Sequence, residues 1–198
     1  MMKLLILYPE EFKAYSKFER KLSNILKSVS QLQVMFEHDS NGFISRFFDG
    51  KSEAKLEKTK FNESEYTHAI VFSDGEEFVE EVENLSQQGV KLRRIKIKIT
   101  RVVNIKTDAN YNGRHSTASY EYIGRGSYWG NPYAMPYDGD REEVIRKFKY
   151  DFDYDKLLNR EKSQCYSLAG KRLGCFCKPE SCHGDVIADF LNSWDDGE

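Results

Sequence analysis

The spacing of apolar residues along the chain changes several times, and each change predicts an element. Residues 3–8, KLLILY, are a short apolar run that predicts a first strand. Phe18, Leu22, Ile25, Leu26 and Val29 recur at helical spacing and predict an amphipathic helix over about residues 15–30. An apolar segment, LQVMFE, precedes a long polar stretch, residues 39–65, for which the pattern predicts no element. THAIVFSDG, residues 67–75, predicts a strand ending in a turn, and residues 76–89 predict a helix closed by Gly89. Residues 91–106, KLRRIKIKITRVVNIK, alternate at Ile95, Ile97 and Ile99 and predict one strand with an apolar and a basic face. Strand–helix–strand order at this spacing predicts an α/β fold with parallel pairing. The chain divides near residue 100 into two small α/β layers, residues 1–100 and 101–198.

Composition narrows the setting. Charged residues make up 31% and aromatics 14% of 198 residues, which describes a folded chain rather than a disordered one. No apolar run approaches the length of a membrane span, and the start MMKLLILYPEEF does not read as a secretory signal. Four cysteines without such a signal imply a reducing, cytoplasmic setting rather than a disulfide scaffold. A net charge of −2 excludes generic polyanion binding, so any contact with nucleic acid would be local.

Candidate chemistry concentrates in residues 170–185, GKRLGCFCKPESCHGD. Cys175 and Cys177 lie two apart at the end of an apolar run, where a strand would turn them to one face. Pro179 ends that strand, and Ser181 is the expected cap of a helix carrying Cys182 and His183 in its first turn. Three readings follow. Cys175, Cys177, Cys182 and His183 are soft ligands suited to zinc, although the spacing departs from paired C-x2-C and neighbouring Cys182 and His183 chelate together with difficulty. Alternatively, Cys182 is a thiolate activated by the helix N-terminus, with His183 as proton carrier. In the third reading the cysteines are small buried residues and His183 a polar helix start. Asp185 either caps the helix, orients His183 or, in a zinc-dependent enzyme, serves as the base for a metal-bound water.

A second cluster is the loop Gly124-Arg125-Gly126-Ser127-Tyr128-Trp129-Gly130-Asn131-Pro132. Its glycines permit close approach to a phosphate or carboxylate, Arg125 can bind it bidentately, and Ser127 and Asn131 add hydrogen bonds. Tyr128 and Trp129 can stack on a base. The competing reading is a tight turn with Trp129 in a small core. Arg141, at the start of the helix REEVIRKFKYDF, is a further candidate anion contact. Lys91, Arg93, Arg94, Lys96, Lys98 and Arg101 form the one basic concentration, read chiefly as the solvated face of an edge strand and secondarily as a phosphate-backbone contact. The acidic end, Asp195 to Glu198, reads as a solvated tail.

The RVVN strand at residues 101–104, IGRGSYWGNP, the R-E-E helix start and GKRLGCFCKPESCHGD together resemble the phage and bacterial family termed domain of unknown function 4326. The resemblance covers about the last hundred residues. The first half resembles the Rossmann-like superfamily of lysine-decarboxylase-like phosphoribohydrolases and nucleotide sensors, through its element order and the strand–turn passage from Ala69 to Gly75. That resemblance implies a mainly parallel sheet and a nucleotide-binding layer. Such families carry a glycine-rich phosphate turn after an early strand, where this chain has Tyr8-Pro9-Glu10-Glu11-Phe12. The first half therefore reads as a degenerate nucleotide-binding layer, a scaffold or a partner-binding surface.

Together these readings lead to an enzyme, a hydrolase or transferase, acting on a nucleotide-type or other phosphate-bearing substrate in the cytoplasm of a phage host. Arg125 and its loop would bind the anion, and Cys177, Cys182 and His183 would form the reactive centre, with or without zinc. Without an H-x-E motif ahead of its cysteines, the chain does not support a zinc-deaminase arrangement. The alternative is a non-catalytic binder that sequesters a nucleotide signal or blocks a host defence protein, with the Cys/His cluster as a staple. A nucleic-acid-binding accessory using the basic strand is the third expectation.

Overall fold

In the computed structural model of the protein, which describes residues 1–61 and 63–198, the chain forms two units. One comprises Met1–Lys98 with Ser193–Glu198, the other Ile99–Asn192.

The first unit runs β1 (Met2–Leu7), α1 (Tyr15–Ile25), β2 (Leu32–Phe36), α2 (Phe43–Phe48), β3 (Ala54–Lys58), β4 (His68–Ser73), α3 (Val79–Gln87) and β5 (Lys91–Lys96). Its sheet has the order β3-β2-β1-β4-β5, and each neighbouring pair is parallel. Four consecutive residues of β1, Leu4 to Leu7, are buried, as are Ala69 to Phe72 of β4. A parallel sheet covered on both faces requires such unbroken apolar runs, which is why KLLIL and AIVF do not alternate. One face carries an aromatic cluster in which Phe18 packs on Phe72 and Phe43 with ring centroids 5.1 and 5.4 Å apart. Leu5, Leu7, Met35, Val71 and Leu85 form the other core.

Several expectations change here. The first helix ends at Ile25 rather than near residue 30, and the polar stretch 39–65 contains α2 and β3, with residue 62 outside the described residues. Gly89 follows α3 with φ 71°, as a closing glycine should. The alternating run 91–106 is two strands: β5 ends the first sheet, and β6 (Arg101–Asn104) belongs to the second. Lys91, Arg93, Arg94 and Lys96 are exposed on β5, an edge strand, as the bland reading of that basic run requires.

The acidic end is not a solvated tail. Lys17 Nζ lies 2.5 Å from Asp196 Oδ1, with those side chains only 4% and 7% exposed, and Arg20 pairs with Asp195 at 2.7 Å. A buried lysine needs a carboxylate partner, and α1 takes its partner from the far end of the chain.

The second unit continues with β6, β7 (Tyr120–Tyr122), α4 (Arg141–Asp153), a 3-10 helix over Lys162–Leu168, β8 (Arg172–Cys175) and α5 (His183–Asn192). β8 lies between β6 and β7 and is parallel to both. Its core joins Ile123, Trp129, Phe148, Phe152, Leu173 and Ile187 with Cys165, Cys175 and Cys182. Because all three strands run the same way, the chain leaves each of them at one edge of the sheet. The segments that follow β7 and β8 are the glycine-rich loop and the cysteine-rich loop.

Candidate functional site

That edge holds a cavity of about 310 Å³, lined by residues of both loops and of α4. Open α/β sheets bind ligands outside the carboxyl ends of their strands, and the three-stranded sheet presents its chemistry there.

β8 ends at Cys175, so Cys177 lies beyond the strand, yet the two sulfurs are 3.5 Å apart. α5 begins at His183, one residue later than the expected cap at Ser181 implies. Cys182 itself takes the capping position: its Sγ accepts from the Gly184 N–H at 3.3 Å. Asp185 reaches back to accept from the Cys182 N–H at 2.8 Å, the second half of a capping box. Asp185 also pairs with Lys178 at 2.7 Å, so its carboxylate is engaged in capping and in an ion pair.

Cys175, Cys182 and His183 are buried, with their ligand atoms all within 4.8 Å of one another. The expected conflict between neighbouring Cys182 and His183 is relieved because one precedes the helix and the other starts it. His183 Nε2 donates to the Ile123 carbonyl at 3.0 Å, and its ring meets Phe148 edge-on at 5.0 Å. Burial pushes its pKa below the ordinary histidine value despite backbone hydrogen bonds with Ile123 and Trp129.

Hydrogen bonds with the Cys175 and Cys182 sulfurs, and then the Arg141 guanidinium, hold the Cys177 thiol well below its ordinary range. Sharing with Cys177 raises Cys175, and sharing with Cys175 and Cys177 together with burial raises Cys182. Sequence reasoning gave the thiolate role to Cys182; the electrostatics favour Cys177, which is half-buried and lines the cavity.

The glycine-rich loop divides its expected roles. Gly124, Arg125 and Asn131 line the cavity. Arg125 is exposed and, among the described residues, has no hydrogen-bond or ion-pair partner. Asn131 is committed to the fold, donating to the Val144 carbonyl at 3.1 Å and accepting from the Tyr133 N–H at 3.0 Å. Trp129 is 4% exposed within the core and cannot stack on a ligand, which corrects that expectation. Gly126 and Ser127 do not line the cavity; the Ser127 hydroxyl is buried with no partner among the described residues. Tyr128 is turned to Gln164. Arg141 lines the cavity and donates Nη1 to the Ser181 carbonyl at 3.1 Å.

Two contributors were missed from sequence. Phe176, between the first two cysteines, lines the cavity and is 38% exposed, with Lys106 Nζ and Arg114 Cζ at 5.6 and 5.7 Å from its ring centroid. Asn104, the last residue of RVVN, donates Nδ2 to the Lys178 carbonyl at 2.5 Å and so supports the cysteine loop. The alternation C-F-C could have signalled the first, since residues flanking a strand end alternate faces.

In the first unit, the place of a phosphate turn is filled by side chains. Tyr8 Oη donates to Asp39 at 2.5 Å and accepts from the Asn41 N–H at 3.1 Å. Asn41 Nδ2 donates to the carbonyls of Glu10 and Phe12 at 2.8 and 3.0 Å. Among the described residues, no helix is long and apolar enough to cross a membrane.

The family descriptions agree with this division. That of the minimal SLOG domain, a nucleotide-related fold family, matches residues 1–103, and that of domain of unknown function 4326 matches residues 103–193. The chain is similar to the uncharacterized 12.4 kDa protein in the nrdA-td intergenic region of Enterobacteria phage T4. The two are 41% identical over 98 residues, which cover 48% of this chain and 80% of that protein. No solved structure matches. Both resemblances read from the sequence are thereby borne out, and the chain belongs to the minimal SLOG domain family over residues 1–103 and to the domain of unknown function 4326 family over residues 103–193.

Proposed function

We propose that the second unit binds a nucleotide-type, phosphate-bearing molecule in the cavity at the ends of β7 and β8. One observation carries the reading: two guanidiniums, Arg125 and Arg141, line that cavity, and Arg125 has no protein partner among the described residues. Guanidinium forks match phosphate oxygens bidentately. Phe176 supplies an exposed aromatic surface for the base or sugar, the role that buried Trp129 cannot take. The minimal SLOG assignment of the first unit agrees with a nucleotide-related protein. Similarity to a phage protein fits a binder that withdraws a nucleotide signal, or obstructs a defence protein, in the cytoplasm of an infected host.

The test is calorimetric titration of the full chain with nucleosides, their mono-, di- and triphosphates, and inorganic phosphate. Phosphorylated nucleotides are expected to bind and nucleosides not, with Arg125→Ala weakening affinity about tenfold or more. Absence of binding across the panel would remove the reading.

A second reading, a hydrolase or transferase, is favoured by Cys177 lying on the cavity wall with Arg141 beside it. In that form Cys177 is the group that meets the substrate, and Cys182 and His183 support it. Turnover of a bound nucleotide that disappears in Cys177→Ala, while binding persists, is the expected result; unchanged turnover excludes it.

A further inference from the structure

We infer that Cys175, Cys177, Cys182 and His183 together hold a zinc ion with all four coordination positions supplied by the protein. The donor set is three thiolates and one imidazole, a recurrent composition of closed structural zinc sites. Three of the four donors already stand together, and Cys177, whose sulfur lies outside that group but 3.5 Å from Cys175, joins it by a side-chain rotation with the backbone kept. Zinc–sulfur bonds of about 2.3 Å in a tetrahedron put neighbouring sulfurs about 3.8 Å apart. Cys175 and Cys177 stand at 3.5 Å, and the donors of Cys175, Cys182 and His183 lie within 4.8 Å of one another.

The surroundings supply what a thiolate-rich zinc site needs. His183 donates Nε2–H to the Ile123 carbonyl, a backbone bond of the kind that commonly orients a ligating imidazole. Cys182 Sγ accepts the Gly184 N–H, as capped thiolate ligands do. Three thiolates around a divalent ion leave one net negative charge, and the Arg141 guanidinium, which lines the same cavity wall as Cys177, lies where it offsets that charge. The unusual C-x-C-x4-C-H spacing follows from the fold: two ligands come from the end of a strand and two from the start of a helix, so the sheet and α5 set the geometry rather than a short hairpin.

The consequence is functional. A zinc with four protein ligands keeps no position for water or substrate, so the ion staples β8 to α5 and fixes one wall of the cavity. Ligand recognition then belongs to the guanidiniums, which supports the binder over the hydrolase or transferase. This inference stands on the geometry of the centre and holds whether or not the cavity takes a nucleotide.

The test uses the full chain produced in zinc-supplemented medium without a metal-affinity tag. Elemental analysis is expected to give about one zinc per chain, released as a thiol-modifying mercurial titrates the cysteines. Cobalt substitution of the same chain should produce intense sulfur-to-metal charge-transfer absorption and the strong visible bands of a tetrahedral ion. Cys182→Ser should lose the zinc; if that variant does not fold, the cobalt spectrum of the unaltered chain still decides. A folded chain that contains little zinc, takes up none on addition and exposes reactive thiols overturns the inference. So does a cobalt spectrum without sulfur charge transfer. Nucleotide titration of the same preparation reads the cavity separately, so failure of one proposal does not mask the other.

Discussion

Arg141 donates Nη1 to the carbonyl oxygen of Ser181 at 3.1 Å, which ties the first turn of α4 to the residue before Cys182. A cation at a helix N-terminus opposes the helix dipole. Here that unfavourable position is offset by the carbonyl and by the Cys177 thiol, which is held well below its ordinary range beside it. Replacing Arg141 by alanine should weaken phosphate-ligand binding by about 1.5–3 kcal/mol, or about ten- to a hundredfold. Arg141→Lys should recover only part of it, since lysine lacks the planar fork. Titration calorimetry on both variants measures this, and full recovery by lysine would show that charge alone matters.

Gly184 explains the glycine of CHGD. A Cβ there would meet Ile123 Cδ1 at 2.5 Å, Val102 Cγ2 at 3.1 Å and Cys182 Sγ at 3.2 Å. Gly184→Ala should therefore destabilise the second unit by about 1–3 kcal/mol through overpacking, even though alanine favours helices. Chemical denaturation followed by Trp129 fluorescence reads it, and a neutral result would mean that Ile123 repacks freely.

Asp196→Ala leaves Lys17 buried without its carboxylate. Removing one partner of a buried pair costs about 3–5 kcal/mol, whereas the double change Lys17→Met with Asp196→Ala should restore much of that loss. Equal denaturation midpoints for the original chain and Asp196→Ala would show that the tail does not stabilise the first unit.

Asp39 accepts the Tyr8 hydroxyl, the N–H groups of Ile44 and Ser45, and the Ser45 hydroxyl. Burial raises its carboxyl, but these hydrogen bonds outweigh burial and hold it below the ordinary value. Asp195 and Asp196 are held low in the same way by Arg20 and Lys17. For a depressed carboxyl, the unfolded chain takes up the proton first. The stabilisation is complete above the unfolded value near pH 4 and is lost as pH falls through the folded value. Stability should be level above about pH 5 and decline below about pH 4, with a shallower decline in Asp39→Asn. An unchanged slope in that variant would assign the acid sensitivity elsewhere.

Cys165 is fully buried, and burial pushes its thiol up to about 12. It should resist thiol reagents at neutral pH until the chain unfolds. Rapid labelling of Cys165 in the folded protein, located by peptide mass mapping, would contradict its burial.

Much of the architecture was written in local patterns. KLLILY, THAIVFS and the glycine after α3 specify elements through spacing and backbone preference alone, and their order implied a parallel layer. The motif residues Arg125, Arg141, Cys175, Cys177, Cys182 and His183 were legible as candidates because their chemistry is carried by residue type. Tertiary structure decided which of them meet. Trp129 and Arg125 stand four residues apart in one loop, yet one is buried in the core that also holds Phe148 and Leu173 while the other lines the cavity. The run KLRRIKIKITRVVNIK alternates without interruption, so nothing local marks where β5 ends in one sheet and β6 begins in another. Asp195 and Asp196 read as solvated until Arg20 and Lys17 on α1, almost the whole chain away, proved to pair with them. Local sequence sets what each segment can be, because propensity and periodicity act over a few residues. Burial, ion pairing and the assembly of a site depend on partners distant in sequence, and only the closed fold supplies them.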